Sequence, residues 1–259
     1  MIKHAKRLDS VEEYYFSKKL REVSKMIALG EPVINMGVGS PDLYPSKNVI
    51  DEISSSLSDQ VAHKYQSYQG IYELRKSISN FYKKYFNVEV NPDNEVLPLM
   101  GSKEGIMHVS LAFLNPGDEV LIPNPGYPTY LAVTKLVEAK PRFYNLSQEN
   151  NWFPDIEELE KSDLSKVRIM WINYPHMPTG ASASIKQFEQ LINFAKKNNI
   201  LIINDNPYSF ILNDNHTSLL SVDNSKEVAM ELNSLSKSFN MSGWRVGMLL
   251  GSLENVSRV

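Results

Sequence analysis

The segment Ser234-Leu235-Ser236-Lys237-Ser238-Phe239 sets a lysine among small hydroxyl residues, and Gly243-Trp244-Arg245-Val246-Gly247 follows it closely. A lysine held in a partly desolvated pocket has a lowered amine pKa and can form an imine with a bound aldehyde. An arginine nearby offers a planar fork that suits a phosphate better than a lysine does. Each residue alone has a plain alternative reading, since most lysines and arginines are solvated surface groups. The joint spacing, with Gly243-Trp244 ahead of Arg245, points to a site.

Three further segments carry groups of the same kind. Asn204-Asp205-Asn206-Pro207-Tyr208 follows the apolar run at 200–203, and a carboxylate at a strand's C-terminal end lies where open α/β sheets bind ligands. Opposite a pyridine nitrogen, Asp205 would keep that nitrogen protonated and the ring a better electron sink. Tyr208 could donate a hydrogen bond to a phenolic oxygen. Taken alone, the same residues also read as a turn built from Asp, Asn and Pro. Gly101-Ser102-Lys103-Glu104-Gly105 has the outline of a phosphate cradle, with exposed backbone N–H groups, a hydroxyl and the start of a helix. That signal is weak by itself, because any strand-to-helix turn favours glycine and serine. In Asn124-Pro125-Gly126-Tyr127-Pro128-Thr129-Tyr130, Tyr127 could stack on a planar ring or be a core tyrosine beside a turn.

The elements that must position these groups alternate in texture. Short apolar or β-branched runs stand between longer amphipathic stretches, which predicts an α/β fold around a mainly parallel sheet. Strands are predicted to begin near Glu95, Glu119, Pro141, Val167, Ile200, Glu227 and Arg245. Ile169-Met170-Trp171-Ile172 and Leu201-Ile202-Ile203 are continuously apolar, as strands covered on both faces are. Helices are predicted over 9–30, over 103–114 and 127–138, and over 184–199, where Ser184 and Gln187 have the spacing of a capping box. Residues 46–87 show further helical periodicity, broken by a Tyr-rich loop at 65–70, and Gly30 reads as a C-cap glycine. A further helix begins near Leu253.

Composition sets the class. The chain has 259 residues, 42% of them hydrophobic and 22% charged, so it can bury a core and is neither fibrous nor disordered. A net charge of −3 carries no nucleic-acid footprint. The absence of cysteine excludes disulfides and catalytic thiols and fits a cytoplasmic protein. No apolar run approaches the roughly 20 residues that span a bilayer, and Met1 to Arg7 lack the apolar segment of a signal peptide.

In order and spacing these motifs resemble the class I/II aminotransferases, pyridoxal 5'-phosphate (PLP) enzymes of fold type I, over essentially the whole chain. The resemblance implies a three-layer α/β/α fold around a mixed, mostly parallel seven-stranded sheet. It implies PLP as cofactor, with Lys237 as the Schiff-base lysine, Asp205 on the pyridine nitrogen and Tyr208 on the phenolic oxygen. Ser234, Arg245 and the loop of Gly101, Ser102 and Lys103 match the phosphate site, and Tyr127 matches the ring-stacking aromatic. Gly39, in Gly39-Ser40-Pro41-Asp42, matches the glycine that meets the substrate carboxylate. Tyr65, five residues before Gly70, matches a tyrosine that reaches the cofactor phosphate of a neighbouring subunit, which implies a homodimer.

The implied reaction is transamination between an amino acid and a 2-oxo acid. Elimination or decarboxylation on the same fold, and a non-catalytic module, stay open. Residues 1–45 are expected to form an arm that packs on a partner or on a small domain, and 46–259 the PLP-binding domain. The resemblance also implies a C-terminal small domain carrying the arginine for the substrate α-carboxylate, which is expected to lie outside this chain. One departure stands out in Asn173-Tyr174-Pro175-His176-Met177-Pro178-Thr179-Gly180. Met177 occupies the place of an asparagine in the family's Asn-Pro-Thr-Gly, and a thioether cannot donate the hydrogen bond to the phenolic oxygen. Asn173, His176 or Tyr208 would have to serve instead.

Overall fold

The computed structural model describes residues 2–11, 13–37 and 39–259. Seven strands form one sheet: β1 (Val96–Leu99), β2 (Glu119–Asn124), β3 (Lys140–Asn145), β4 (Val167–Ile172), β5 (Leu201–Asp205), β6 (Ala229–Ser234) and β7 (Gly247–Leu250). Their order across the sheet is β1-β7-β6-β5-β4-β2-β3. β7 runs antiparallel to both β1 and β6, and the pairings among β2 to β6 are parallel. This is the mixed, mostly parallel seven-stranded sheet that the family resemblance implies, and the apolar runs account for its parallel part.

Side chains alternate along each strand, so the two faces bury different sets. Ile169 and Trp171 of β4 join Ile203, Met230 and Leu232 on one face. That face is covered by Ile106 and Val109 of α4 (Ser102–Phe113) and by Tyr130 and Val133 of α5 (Pro128–Leu136). Met170, Ile172 and Ile202 face the other way. There they meet Ile78, Tyr82 and Phe86 of α3 (Tyr72–Phe86), and Phe188, Leu191 and Ile192 of α7 (Ile185–Asn198). Trp171 and Ile172 are both fully buried. Each such side chain contributes about 1.5–3 kcal/mol, and a one-residue slip would send every one of them to the wrong face. The register that holds the site is therefore set by the core.

Local signals end the helices where the sequence indicates. Ser184 accepts from the Gln187 backbone while the Gln187 side chain accepts from Ser184, a complete capping box. Gly30 has a φ of 81° and closes the N-terminal helix. That helix is shorter than predicted: a 3-10 turn covers Lys6–Ser10, Val11 is extended, and α1 spans Tyr15–Ala28. The apolar spacing that supports a helix starts only at Phe16, followed by Leu20, Val23 and Ile27. Residue 12, inside the predicted helix, lies outside the described residues. Neither α1 nor α2 (Lys47–Ser56) has a buried residue.

Candidate active site

The C-terminal ends of the parallel strands converge on one edge of the sheet. Asn173 follows β4, Asp205 ends β5, Ser234 ends β6, and Tyr127 follows β2. Because β7 is antiparallel, its start comes to the same edge: Gly247 stands opposite both Ser234 and Leu99. Arg245, two residues earlier, therefore meets the turn after β1. A Cβ on Gly101 would lie 2.2 Å from the Arg245 guanidinium, and Gly101 has a φ of 95°. The backbone conformation is strained for any other residue, and a side chain there would push the Arg245 guanidinium away. Gly247 is constrained by close backbone approach alone, with its Cβ position 2.5 Å from the Ser102 amide nitrogen. Arg245 takes the left-handed conformation at a φ of 56° and donates to the Ser242 carbonyl at 2.9 Å. One guanidinium and the N-terminal end of α4 thus share a small patch with anion-binding character.

Asp205 is buried at 5% exposure. Tyr130 donates to its Oδ2 at 3.0 Å, and Tyr130 stacks on Trp171 with the planes 5° apart. The other carboxylate oxygen, Oδ1, is buried and has no hydrogen-bond partner among the described residues. Burial pushes the Asp205 carboxyl up to about 7, with the Tyr130 hydrogen bond pulling down and the Glu231 charge adding to the rise. Tyr208 and Tyr127 lie within its field. Burial and then the Asp205 charge push the Tyr208 hydroxyl up to about 12, and burial first also raises Tyr127.

Lys237 is half-buried in the loop after β6, and that burial lowers its amine from the ordinary lysine value. Nζ donates to the Gly39 carbonyl at 2.9 Å. Ser238 Oγ donates to the Pro207 carbonyl at 3.3 Å, which ties the lysine loop to the Asp205 loop. The Leu235 amide donates to the Val246 carbonyl at 3.1 Å, which ties it to the arginine strand.

The structure thus gathers Gly39, Gly101, Ser102, Tyr127, Asp205, Tyr208, Ser234, Lys237 and Arg245 at one edge. Lys103 stands beside them with its side chain exposed and Nζ 5.1 Å from the Tyr14 ring. Tyr65 is not gathered in: it is fully exposed in the loop before α3. Asn173 is committed to its surroundings, with Nδ2 donating to the Asp205 carbonyl and Oδ1 accepting from the Met177 amide at 2.7 Å. His176 is buried and its Nδ1 meets Thr179 Oγ1 at 2.8 Å, inside the same turn. Two residues at the site have no role assigned from the sequence, Tyr130 on Asp205 and Tyr14 beside Lys103. Tyr130 closes the 124–130 segment and lies in the first turn of α5, which is the available signal for it. Among the described residues, no cluster of three or more His, Asp or Glu could hold a metal ion.

Residues 31–259 match the family described as aminotransferase class I and II, and the chain belongs to that family. Its members depend on PLP, and the donor set fits that group. An orphaned, buried carboxylate oxygen suits a protonated ring nitrogen, a half-buried lysine suits the aldehyde, and an arginine over a glycine turn suits the phosphate. Among individual proteins, the chain is 41% identical to the LL-diaminopimelate aminotransferase of Dehalococcoides mccartyi over 98% of its own length and 66% of that protein's. It is 40% identical to the protein of that name from Aquifex aeolicus, over 99% and 67%. The chain therefore spans about two thirds of the length of these relatives. Its fold overlays substrate-bound BacF from Bacillus subtilis with a TM-score of 0.94 at 33% identity, covering all of this chain and 66% of that one. Aspartate aminotransferase from Thermus thermophilus gives 0.93 at 23% identity over 100% and 67%, a likeness of fold alone.

Proposed function

We propose that the chain is the cofactor-binding part of an aminotransferase that moves an amino group between an amino acid and a 2-oxo acid. The observation that carries this reading is the pairing of a buried Asp205 with one unpartnered oxygen and a half-buried Lys237, on loops hydrogen-bonded to each other. When bound, PLP supplies an aldehyde that captures amines and a ring that draws electrons from the carbon next to the captured nitrogen.

Lys237 would hold the cofactor's aldehyde, and its lowered pKa leaves more of the amine unprotonated and nucleophilic. Nζ would also be the base for the proton on the substrate Cα. Asp205 would keep the ring nitrogen protonated, and Tyr127 would stack on the ring. Arg245, Ser234 and the backbone of Gly101, Ser102 and Lys103 would hold the phosphate. Tyr208 would donate to the phenolic oxygen. It would act without the Asn173 side chain, which is engaged by the Asp205 carbonyl and the Met177 amide, and without an asparagine at Met177. Gly39 meets the substrate carboxylate once Lys237 releases its carbonyl.

Tyr65 and Tyr68 are fully exposed, as are most of Ile34, Met36 and Tyr44. These apolar groups support a homodimer in which Tyr65 serves the neighbouring site. They also support an arm, residues 1–45, that packs on a partner or on a C-terminal small domain. The lack of cysteine supports a cytoplasmic setting. The names of the similar proteins make LL-diaminopimelate the first amino donor to test, and they favour transamination over elimination or decarboxylation. Product analysis of the full-length PLP-loaded protein decides. A 2-oxo product together with a newly aminated acceptor is the expected result, whereas ammonia with pyruvate, or carbon dioxide, would replace this reading.

A further inference from the structure

β6 is buried along its whole length, and it carries Glu231 at 0% exposure. Among the described residues no ion pair includes this carboxylate. Five groups surround it. Oε1 accepts from Tyr82 Oη at 3.0 Å, Ser218 Oγ at 2.9 Å and Asn206 Nδ2 at 3.2 Å. Oε2 accepts from Asn204 Nδ2 at 3.0 Å and the Leu219 amide at 2.9 Å.

The roles of these groups are fixed by their other partners. Asn204 Oδ1 accepts from the Tyr174 amide and Asn206 Oδ1 from Ser209, so both side chains turn their NH2 to Glu231. Tyr82 Oη accepts from Asn233 Nδ2 and Ser218 Oγ from the Leu220 amide, so both spend their protons on Glu231. Every neighbour donates in this arrangement, and a carboxylic acid proton would find an acceptor only if the Tyr82 or Ser218 hydroxyl gave up its bond to Glu231. Burial raises the Glu231 carboxyl, and the Asn204, Leu219, Asn206 and Ser218 donors pull it part of the way back. The cage is built for the anion.

Two of the five donors are the residues on either side of Asp205. Asn204 stands opposite Glu231 in the ladder, and Asp205 opposite Leu232. The two carboxylates therefore leave the sheet on opposite faces, Glu231 toward Tyr82 of α3 and Asp205 toward Tyr130 of α5. The titratable groups around the pair are Tyr82 on one face and Tyr130, Tyr127 and Tyr208 on the other.

We propose that Glu231 is a positioning residue: a buried carboxylate anion that clamps Asn204 and Asn206, and so the backbone at Asp205, and sets a second negative charge behind it. The inference rests on the reading of Asp205 as partner of the ring nitrogen. With Glu231 ionised at its back, Asp205 holds a proton more firmly, and the site is arranged to receive a cationic ring rather than a neutral one.

The test is a carboxyl-carbon NMR titration of the cofactor-free protein, 13C-labelled at Asp and Glu side chains. The expected results are a Glu231 signal at the carboxylate position at pH 7 and an Asp205 midpoint near 7 that falls by about one pH unit in Glu231→Gln. Tyr82→Phe removes one donor and leaves the charge, and it should leave the Asp205 midpoint within about a third of that shift. A protonated Glu231 at pH 7, an unmoved Asp205 midpoint in Glu231→Gln, or an equal shift in Tyr82→Phe would each overturn the proposal. If Glu231→Gln does not fold, the Glu231 signal of the unmodified protein decides by itself. Whether PLP attaches to Lys237 is read separately, so the reading of the cofactor site can fail while the titrations stand.

Discussion

The two faces of the sheet at β5 and β6 each bury a carboxylate, and the two pockets are furnished in opposite ways. On the α3 face, Glu231 meets five donors and both of its oxygens are saturated. On the α5 face, Asp205 meets the Tyr130 hydroxyl on one oxygen, and the other is left bare. Folding provides for the first anion completely and for the second only in part. A buried polar group without a partner costs about 1–3 kcal/mol, and such a cost persists where a ligand is meant to remove it. The difference separates a carboxylate that supports the structure from one that waits for a partner.

The largest test of this contrast is Glu231→Ala, which leaves five donors facing a void. The expected loss is about 4–5 kcal/mol of unfolding free energy at pH 7 by denaturant titration. A loss below about 1 kcal/mol would mean that the cage is not a structural anion site.

Asp205→Asn should act in the opposite direction in the cofactor-free protein. The folded carboxyl titrates at about 7 instead of 3.8. Its burial therefore costs little near pH 4. Stability falls as pH rises from about 4 to about 7, while only the unfolded carboxyl is ionised, and the cost is constant above that. The variant should match the parent near pH 4 and exceed it by about 2–4 kcal/mol at about pH 8. It should also bind PLP more weakly, because an amide NH2 cannot hold a proton on the ring nitrogen. Equal stability at both pH values would show that Asp205 is not buried as a strained acid.

Tyr130→Phe is the mildest of the three changes. It removes the hydroxyl that stabilises ionised Asp205, so about 1–2 kcal/mol should be lost at pH 8 and less at pH 4, where the acid is protonated. The same change should raise the Asp205 midpoint above 7 in the carboxyl titration. A pH-independent loss would assign Tyr130 to packing against Trp171 alone.

How much of this could be read in the sequence differs between the two pockets. Asp205 sits at the end of an apolar run and before a turn, so its place at a strand's C-terminal end follows from local pattern. The same holds for Lys237 and Gly101, which follow predicted strands, whereas Arg245 precedes one and reaches the same edge only because β7 is antiparallel. Ser184 and Gln187 announced α7, because capping chemistry is local.

Glu231 has no such signature. Its donors come from Tyr82, Asn204, Asn206, Ser218 and Leu219, up to 149 residues away in the chain, and no spacing rule connects them. The one available signal was an acid within Ala229–Ser234, a strand otherwise fit for a covered position. Such an acid must be buried and satisfied. The N-terminal helix is shorter than the 9–30 prediction because the apolar face that stabilises a helix begins only at Phe16. The large exposed apolar surface of α1 and α2 could not be read either, since periodicity shows that a face is apolar and not what covers it.

The most direct test of the central claim is borohydride trapping. The purified 259-residue chain is mixed with PLP, its absorbance is followed between about 400 and 430 nm with pH, and the reduced adduct is located by peptide mapping. The expected result is a pH-dependent band and a single adduct on Lys237, both lost in Lys237→Ala. An adduct on Lys103 instead, or a band that survives Lys237→Ala, would contradict the assignment of Lys237 as the residue that holds the cofactor.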